Sequence, residues 1–271
     1  MSGGMACTLT VLELAPSGPA VRDTACYALR LEAPPWKEWR PGQFIMARPR
    51  DWGHDMLWAR PFCICRLSPR DLTVFFQVLG RGTARMTELK PGEMVDVWGP
   101  LGNGFACEPD RPTLMIAGGA GIAPFVGYAQ NHPAPWNLRM DFGHRLPLES
   151  YPFDSITEKI AADSHFEQKP ADRARFITHV EKRIAEFAKN GGLILACGPL
   201  PMLRLVQECS AKYGAPAQLS LETRMGCGVG ACLGCVCKTG AMWPEPEQAR
   251  SWVQTCTKGP VFWADQVELP E

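Results

Sequence analysis

The run "RMGCGVGACLGCVC", residues 224–237, places four cysteines and four glycines in fourteen positions. Cys227, Cys232 and Cys235 follow the spacing C-x4-C-x2-C, and Cys256 stands alone further on. Plant-type [2Fe–2S] proteins use that spacing with a distant fourth cysteine. Zinc sites more often pair two short knuckles, and no histidine follows His179. The glycines suit a loop that folds tightly round an inorganic core and aims N–H groups at sulfur. Spacing ranks an iron–sulfur cluster first, zinc second and a redox disulfide third, with Cys237 a spare packing residue. The rest of the chain supplies the context.

Cysteine is abundant, at 12 in 271 residues, but unevenly spread. Cys7, Cys26, Cys63, Cys65, Cys107, Cys197 and Cys209 are scattered, as small buried hydrophobes often are. The other five crowd the end of the chain. No positive segment precedes an apolar one at the start, so no signal peptide is expected. Clustered cysteines without one favour metal binding in a reducing compartment, and the cytoplasm is the expected location. Lys+Arg and Asp+Glu are both 28, and without a basic stripe nucleic acid and anionic membranes are poor partners. The most apolar run, 113–129, holds four glycines and a proline. It reads as a strand–loop–helix junction rather than a membrane span.

Turn punctuation divides the chain into three expected regions. In 5–107, short apolar or alternating segments such as 7–14, 26–34, 40–49, 71–80 and 94–100 are separated by turns such as "APSGPAVRD". They predict a small antiparallel barrel. In 108–215, buried strands near 113–118, 137–145 and 193–199 alternate with helices near 174–189 and 201–214, which predicts a parallel α/β sheet. Residues 146–175 are polar and carry no readable element. Residues 216–271 form the cysteine module.

Three further segments are suited to anions. "AGGAGIAP" (117–124) can bring phosphate oxygens to a helix N-terminus, although it lacks the G-x-G-x-x-G spacing of dinucleotide folds. "ARPFCICR" (59–66) and "GRGTARM" (80–86) lie in the barrel region. An Arg followed by an aromatic and a small polar residue suits phosphate and a ring system, and a Gly-x-Gly-Thr turn suits phosphate. Singly, each also reads as an ordinary strand or hairpin.

In this order the motifs resemble the ferredoxin–NAD(P)+ reductase superfamily. Arg60-Pro61-Phe62-Cys63 is similar to its R-P-aromatic-Ser flavin motif, Gly82-Thr83 to its flavin-pyrophosphate turn, "GGAGIAP" to its nicotinamide-side loop and "CGP" (197–199) to its late strand-end motif. More narrowly, "VDVWGPLGNGF" (95–105), "ETRMGCGVGACLGCVCKT" (222–239) and "CTKGPVF" (256–262) resemble the electron-transfer subunits of class 1B dihydroorotate dehydrogenases. The resemblance spans nearly the whole chain and is weakest over 130–192.

The resemblance implies an FAD barrel, an NAD domain and a [2Fe–2S] module. It implies an FMN-containing dihydroorotate dehydrogenase catalytic subunit as partner, in a two-plus-two heterotetramer. Cluster ligands would be Cys227, Cys232, Cys235 and Cys256. FAD would contact Arg60, Pro61, Phe62, Cys63, Phe76, Gln77, Val78, Gly82 and Thr83. The nicotinamide side would use Gly118, Gly119, Gly121, Cys197, Gly198 and Pro199. No residue of this chain is assigned to dihydroorotate. Reductase subunits of hydrogenases, sulfite-reducing complexes or bifurcating ferredoxin reductases share these cofactors, and a zinc-stapled interaction protein is the non-redox alternative.

Two positions depart from the family pattern. Cys63 stands where Ser is usual, and a thiol is the weaker hydrogen-bond donor. Gln77 stands where related chains often carry a cation. The five histidines show no ligand spacing, so none is assigned to a metal. Arg145 reads as a solvated loop residue that could also pair a phosphate. Trp243, Trp252 and Trp263 flank the cysteine module and are candidates for partner contact.

Overall fold

The computed structural model describes residues 5–21, 24–244 and 251–270. The alternating segments of the first part form six strands: β1 (Met5–Val21), β2 (Thr24–Glu32), β3 (Phe44–Pro49), β4 (Arg60–Leu67), β5 (Asp71–Gln77) and β6 (Met94–Leu101). They close into an antiparallel barrel in the order β1-β2-β5-β4-β3-β6. Inward Leu29, Leu31, Ile45, Ile64, Leu72, Val74, Val95 and Val97 are fully buried and form its core. Closure leaves no free sheet edge.

Two local expectations change. Residues 15–21 are strand rather than turn, because β1 keeps pairing with β2 from Glu13↔Arg30 through Ser17↔Cys26 and again at Val21↔Thr24. Residues 81–86, read as strand or hairpin, form the short helix α1 (Arg81–Met86). Thr83 Oγ1 stabilises its start by accepting the N–H groups of Leu79 at 3.0 Å and Gly80 at 3.2 Å.

The second part is a doubly wound sheet. Its elements are β7 (Thr113–Gly118), α2 (Ala123–Asn131), β8 (Leu138–His144), α3 (Asp154–Thr157), β9 (Ala161–Phe166), α4 (Pro170–Lys189), β10 (Leu193–Cys197), α5 (Leu200–Tyr213) and β11 (Ala217–Ser220). Strands β9, β8, β7, β10 and β11 run parallel in that spatial order. The order reverses between β7 and β10, where such sheets open a crevice for ligands at the strand carboxyl ends. Phe176, Val180 and Ile184 bury one stripe of α4 against the sheet. Gly191 and Gly192 follow that helix, with Gly191 at a φ of 65° that suits its termination.

The cysteine region contributes β12 (Val236–Thr239), β13 (Trp252–Gln254), α6 (Thr255–Lys258), β14 (Val261–Trp263) and β15 (Val267–Glu268). Strands β13, β12 and β15 form a small sheet. Strand β14 instead returns to β11 and adds an antiparallel edge to the large sheet. The expected division at 215/216 therefore cuts through one sheet, since both β11 and β14 belong to it. Ladder pairing such as Leu219↔Phe262, together with burial of Leu219, Val261 and Phe262, joins these distant segments.

Helix α2 docks directly on the barrel. A Cβ at Gly127 would lie 2.4 Å from the Trp39 ring and 3.0 Å from the Cys65 carbonyl. Phe105 stacks on Phe125 at 5.2 Å, and Tyr128 Oη donates to the Ala106 carbonyl at 2.7 Å. Barrel and sheet thus share a packed core.

Candidate functional site

A cleft opens where barrel, large sheet and cysteine region meet. Pro61, Phe62 and Cys63 of β4, Phe76 and Gln77 of β5, and Thr83 of α1 line one side. Gly121, Cys197 and Gly198 line the other. Thus nine expected cofactor residues from separate motifs converge. Gln77 continues into an adjoining cleft with Gly118, Gly119, Gly121 and Pro199, at the reversal point of the sheet. The closeness of the two strand ends requires glycine, since a Cβ at Gly121 would sit 2.2 Å from the Cys197 carbonyl oxygen.

Arg60, Gly82 and Val78 lie outside the cleft lining. Val78 packs against the barrel core. The Arg60 side chain crosses Gly82, where a Cβ would come within 2.1 Å of its Nε. Arg60 donates to the Trp58 carbonyl at 2.6 Å and stacks over Trp52, while Arg81 donates to the Asp55 carbonyl at 2.9 Å. Burial and then Arg81 lower the pKa of Arg60. A phosphate beside this pair would relieve the repulsion.

The segment Ser220–Met225 completes the cleft, and none of its residues was among those expected to hold a cofactor: Ser220, Leu221, Glu222, Thr223 and Met225 all line it. Its signal was that Glu222–Met225 open the motif that runs into Cys227. Arg145, Glu167 and Arg173 line the adjoining cleft. Burial, then Glu222, pushes the Cys63 thiol up to about 12, so it is neutral at pH 7.

The cysteine loop carries backbone conformations that glycine accepts readily. Gly228 and Gly230 have φ of 73° and 82°, and a Cβ at Gly228 would lie 2.5 Å from Met46. The amides of Val229 and Cys232 donate to Cys227 Sγ, each at 3.4 Å. Burial opposes ionisation of Cys227, yet these amides, the Cys232 thiol and the Ala231 amide outweigh it and lower its pKa to about 7. Cys235 and Cys256 are buried among Phe44, Met46, Ala59 and Leu101. Burial and then Cys235 push Cys256 up to about 12.

Cys232 acts on Cys227, and both Cys235 and Cys227 act on Cys256, so the thiols of the loop and α6 form one interacting set. Among the described residues, the one group of three ligand atoms mutually within 4.8 Å lies elsewhere, at Asp141, His165 and His179. A single tetrahedral zinc would hold its sulfurs about 3.8 Å apart. Cys227, Cys232, Cys235 and Cys256 do not gather that tightly, and their C-x4-C-x2-C spacing with a distant fourth cysteine suits a [2Fe–2S] cluster. Cys237 is half-buried beside the core of the large sheet, and burial raises its pKa. Phe44 and Met225 touch both settings, since each lines the cleft and packs with Cys235 and Cys256.

Comparison with known proteins agrees with this geometry. Residues 222–268 match the family described as the iron–sulfur cluster binding domain of dihydroorotate dehydrogenase B. The chain is 33% identical over 236 residues to the dihydroorotate dehydrogenase B (NAD(+)) electron transfer subunit of Caldanaerobacter subterraneus subsp. tengcongensis, covering 85% of this chain and 90% of that one. It belongs to the dihydroorotate dehydrogenase B electron transfer subunit family. The Geobacillus kaustophilus member is 34% identical over 239 residues, covering 85% of this chain and 87% of its own.

Solved structures show the same fold beyond that family. An NADH-dependent reduced ferredoxin–NADP oxidoreductase, studied for flavin-based electron bifurcation, superposes with TM-score 0.78 at 21% identity, over 96% of this chain and 90% of that one. Ferredoxin–NADP+ reductase from Plasmodium falciparum superposes with TM-score 0.59 at 14% identity, over 77% and 91%. The electron transfer subunit fold is thus the ferredoxin reductase fold with an added cysteine module.

Proposed function

We propose that this chain passes electrons from a dihydroorotate-oxidising flavoprotein partner, through a [2Fe–2S] cluster and FAD, to NAD+. The observation that carries this reading is the shared wall at Phe44 and Met225, which line the cleft and belong to the same packed cluster as Cys235 and Cys256. A flavin exchanges electrons singly with an iron–sulfur cluster and in pairs, as hydride, with nicotinamide.

Within the chain, Cys227, Cys232, Cys235 and Cys256 would hold the cluster, with loop amides stabilising the thiolate of Cys227. Pro61–Cys63, Phe76, Gln77 and Thr83 would hold the flavin, with Arg60 placed for its phosphates. Gly118, Gly119, Gly121 and Cys197–Pro199 would admit the nicotinamide nucleotide. The Gln77 side chain, common to both clefts, would then face both.

Cys232 is exposed, and around it stand Val229, Leu233 and Trp58, exposed by 54%, 59% and 58%. This apolar rim is the proposed docking face for the FMN-containing catalytic subunit, in a two-plus-two assembly. Trp252, 55% exposed, is free for such a contact, whereas Trp243 packs on Phe262. No helix among the described residues is long and apolar enough to cross a membrane; cytoplasmic location is part of the proposal.

The test is to purify the chain with and without its catalytic partner and assay dihydroorotate-dependent NADH formation. The complex is expected to be active and the isolated chain inactive. Activity in the isolated chain, or none in the complex, overturns the reading.

A further inference from the structure

Asp141 of β8, His165 of β9 and His179 of α4 are far apart in sequence, but each brings one ligand atom within 4.8 Å of the other two. Asp141 is fully buried. Its Oδ1 meets Nε2 of His179 at 3.1 Å, and its Oδ2 accepts from Arg183 Nε at 3.2 Å. The two imidazole rings stand 4.4 Å apart. Nε2 of His165 is buried and has no hydrogen-bond partner.

We propose that Asp141, His165 and His179 form a second metal site, separate from the cysteine loop, for a divalent transition ion of the zinc type. Two imidazoles and one carboxylate oxygen suit zinc and its neighbours rather than magnesium or calcium, which take mostly oxygen. Tetrahedral bonds of about 2.0 Å place ligand atoms roughly 3.3 Å apart. The His179–Asp141 separation already matches, and rotation about the His165 side-chain torsions closes the third. The fourth position is left to water.

The surroundings also fit. Arg183 holds the second carboxylate oxygen and so orients the first, as outer partners of metal ligands do. Its charge is offset by Asp163 at 3.9 Å and Glu186 at 3.7 Å. A network built only for packing needs Asp141, His179 and Arg183, which the carboxylate already joins. It would leave the buried Nε2 of His165 without a role. Phe176, which packs on His165 at 4.9 Å, also lines the cleft at the sheet reversal. Metal there would tie α4 to β8 and β9 beside that cleft.

The test uses holoprotein crystals soaked in zinc, with diffraction recorded on both sides of the zinc absorption edge so that iron is distinguished. An anomalous difference peak between the three side chains supports the site; no peak there overturns it. In solution, His165→Gln and His179→Gln are each expected to weaken binding of one zinc ion by about tenfold or more. Both substitutions leave the cysteine loop intact, so iron content reports retained folding. Unchanged zinc affinity in both variants also refutes the proposal.

Discussion

The indole Nε1–H of Trp98, on barrel strand β6, donates to the backbone carbonyl of Cys227 at 2.9 Å. One bond across 129 positions of sequence thereby pins the cysteine loop to the barrel. Replacing Trp98 by Phe keeps an aromatic ring but removes the donor, at a cost of about 1 kcal/mol. Bleaching of the iron–sulfur absorbance under a chelator is expected to run about fivefold faster than in the wild type. An unchanged rate would show that the loop is held by packing alone.

The fourth ligand separates Cys256 from Cys237. Cys256 is buried beside Cys235, whereas Cys237 lies against the core of the large sheet. Cys256→Ser is expected to abolish the iron–sulfur spectrum and reduce iron content to near zero. Cys237→Ser should retain both. Loss of iron in the second variant alone would reverse the assignment.

Gly121 tests the convergence of β7 and β10. A methyl group placed 2.2 Å from the Cys197 carbonyl oxygen must move backbone. Gly121→Ala is expected to cost about 1–3 kcal/mol in denaturant unfolding. It should also raise the KM for NAD+ more than it lowers iron content, because the added methyl meets Cys197 and Gly198 and no residue of the cysteine loop.

Asp71 gives a pH dependence. Burial opposes its ionisation, but the Ser68 hydroxyl at 2.6 Å, then Arg66 and Arg30, outweigh it and depress the pKa. A depressed carboxylate pKa adds stability above the unfolded value of about 3.9, and that stability is lost as pH falls through the folded value. Both arginines are substantially exposed, so screening limits the effect to about 1 kcal/mol. Asp71→Asn should therefore be less stable than wild type at pH 7, with the gap closing below pH about 4. A gap that persists in acid would assign the loss to packing.

The exposed Trp58 tests the docking face. Its ring lies beside the loop, 3.3 Å from where a Cβ on Gly226 would stand. Trp58→Ala should weaken association with the catalytic subunit by about tenfold, a hot-spot-sized loss, while iron and flavin contents remain unchanged. Unaltered affinity in a titration of the two subunits would move the interface elsewhere.

Legibility followed burial. Strands such as Leu193–Cys197 and Thr113–Gly118 are buried at every position and stand out as apolar runs. Strand β9, in the segment that carried no readable element, is an edge strand mostly open to solvent, so "AADSHF" shows no apolar pattern. The return of β14 to β11 across the expected division near 215 is a long-range pairing that local composition does not encode. The Asp141, His165 and His179 group was hidden for the same reason, as its members come from two strands and a helix.

Local chemistry written into consecutive residues was readable directly: the C-x4-C-x2-C loop, its glycines and the glycine-rich strand end are each contained in one short segment. Their relation was not. The approach of Cys256 to Cys235 and Cys227 depends on how the loop folds back on α6. The place of those cysteines beside the cleft depends on Phe44, a barrel residue that both lines the cleft and packs with Cys235 and Cys256. Spacing can specify which atoms bind a metal; only packing between distant elements decides what lies next to it.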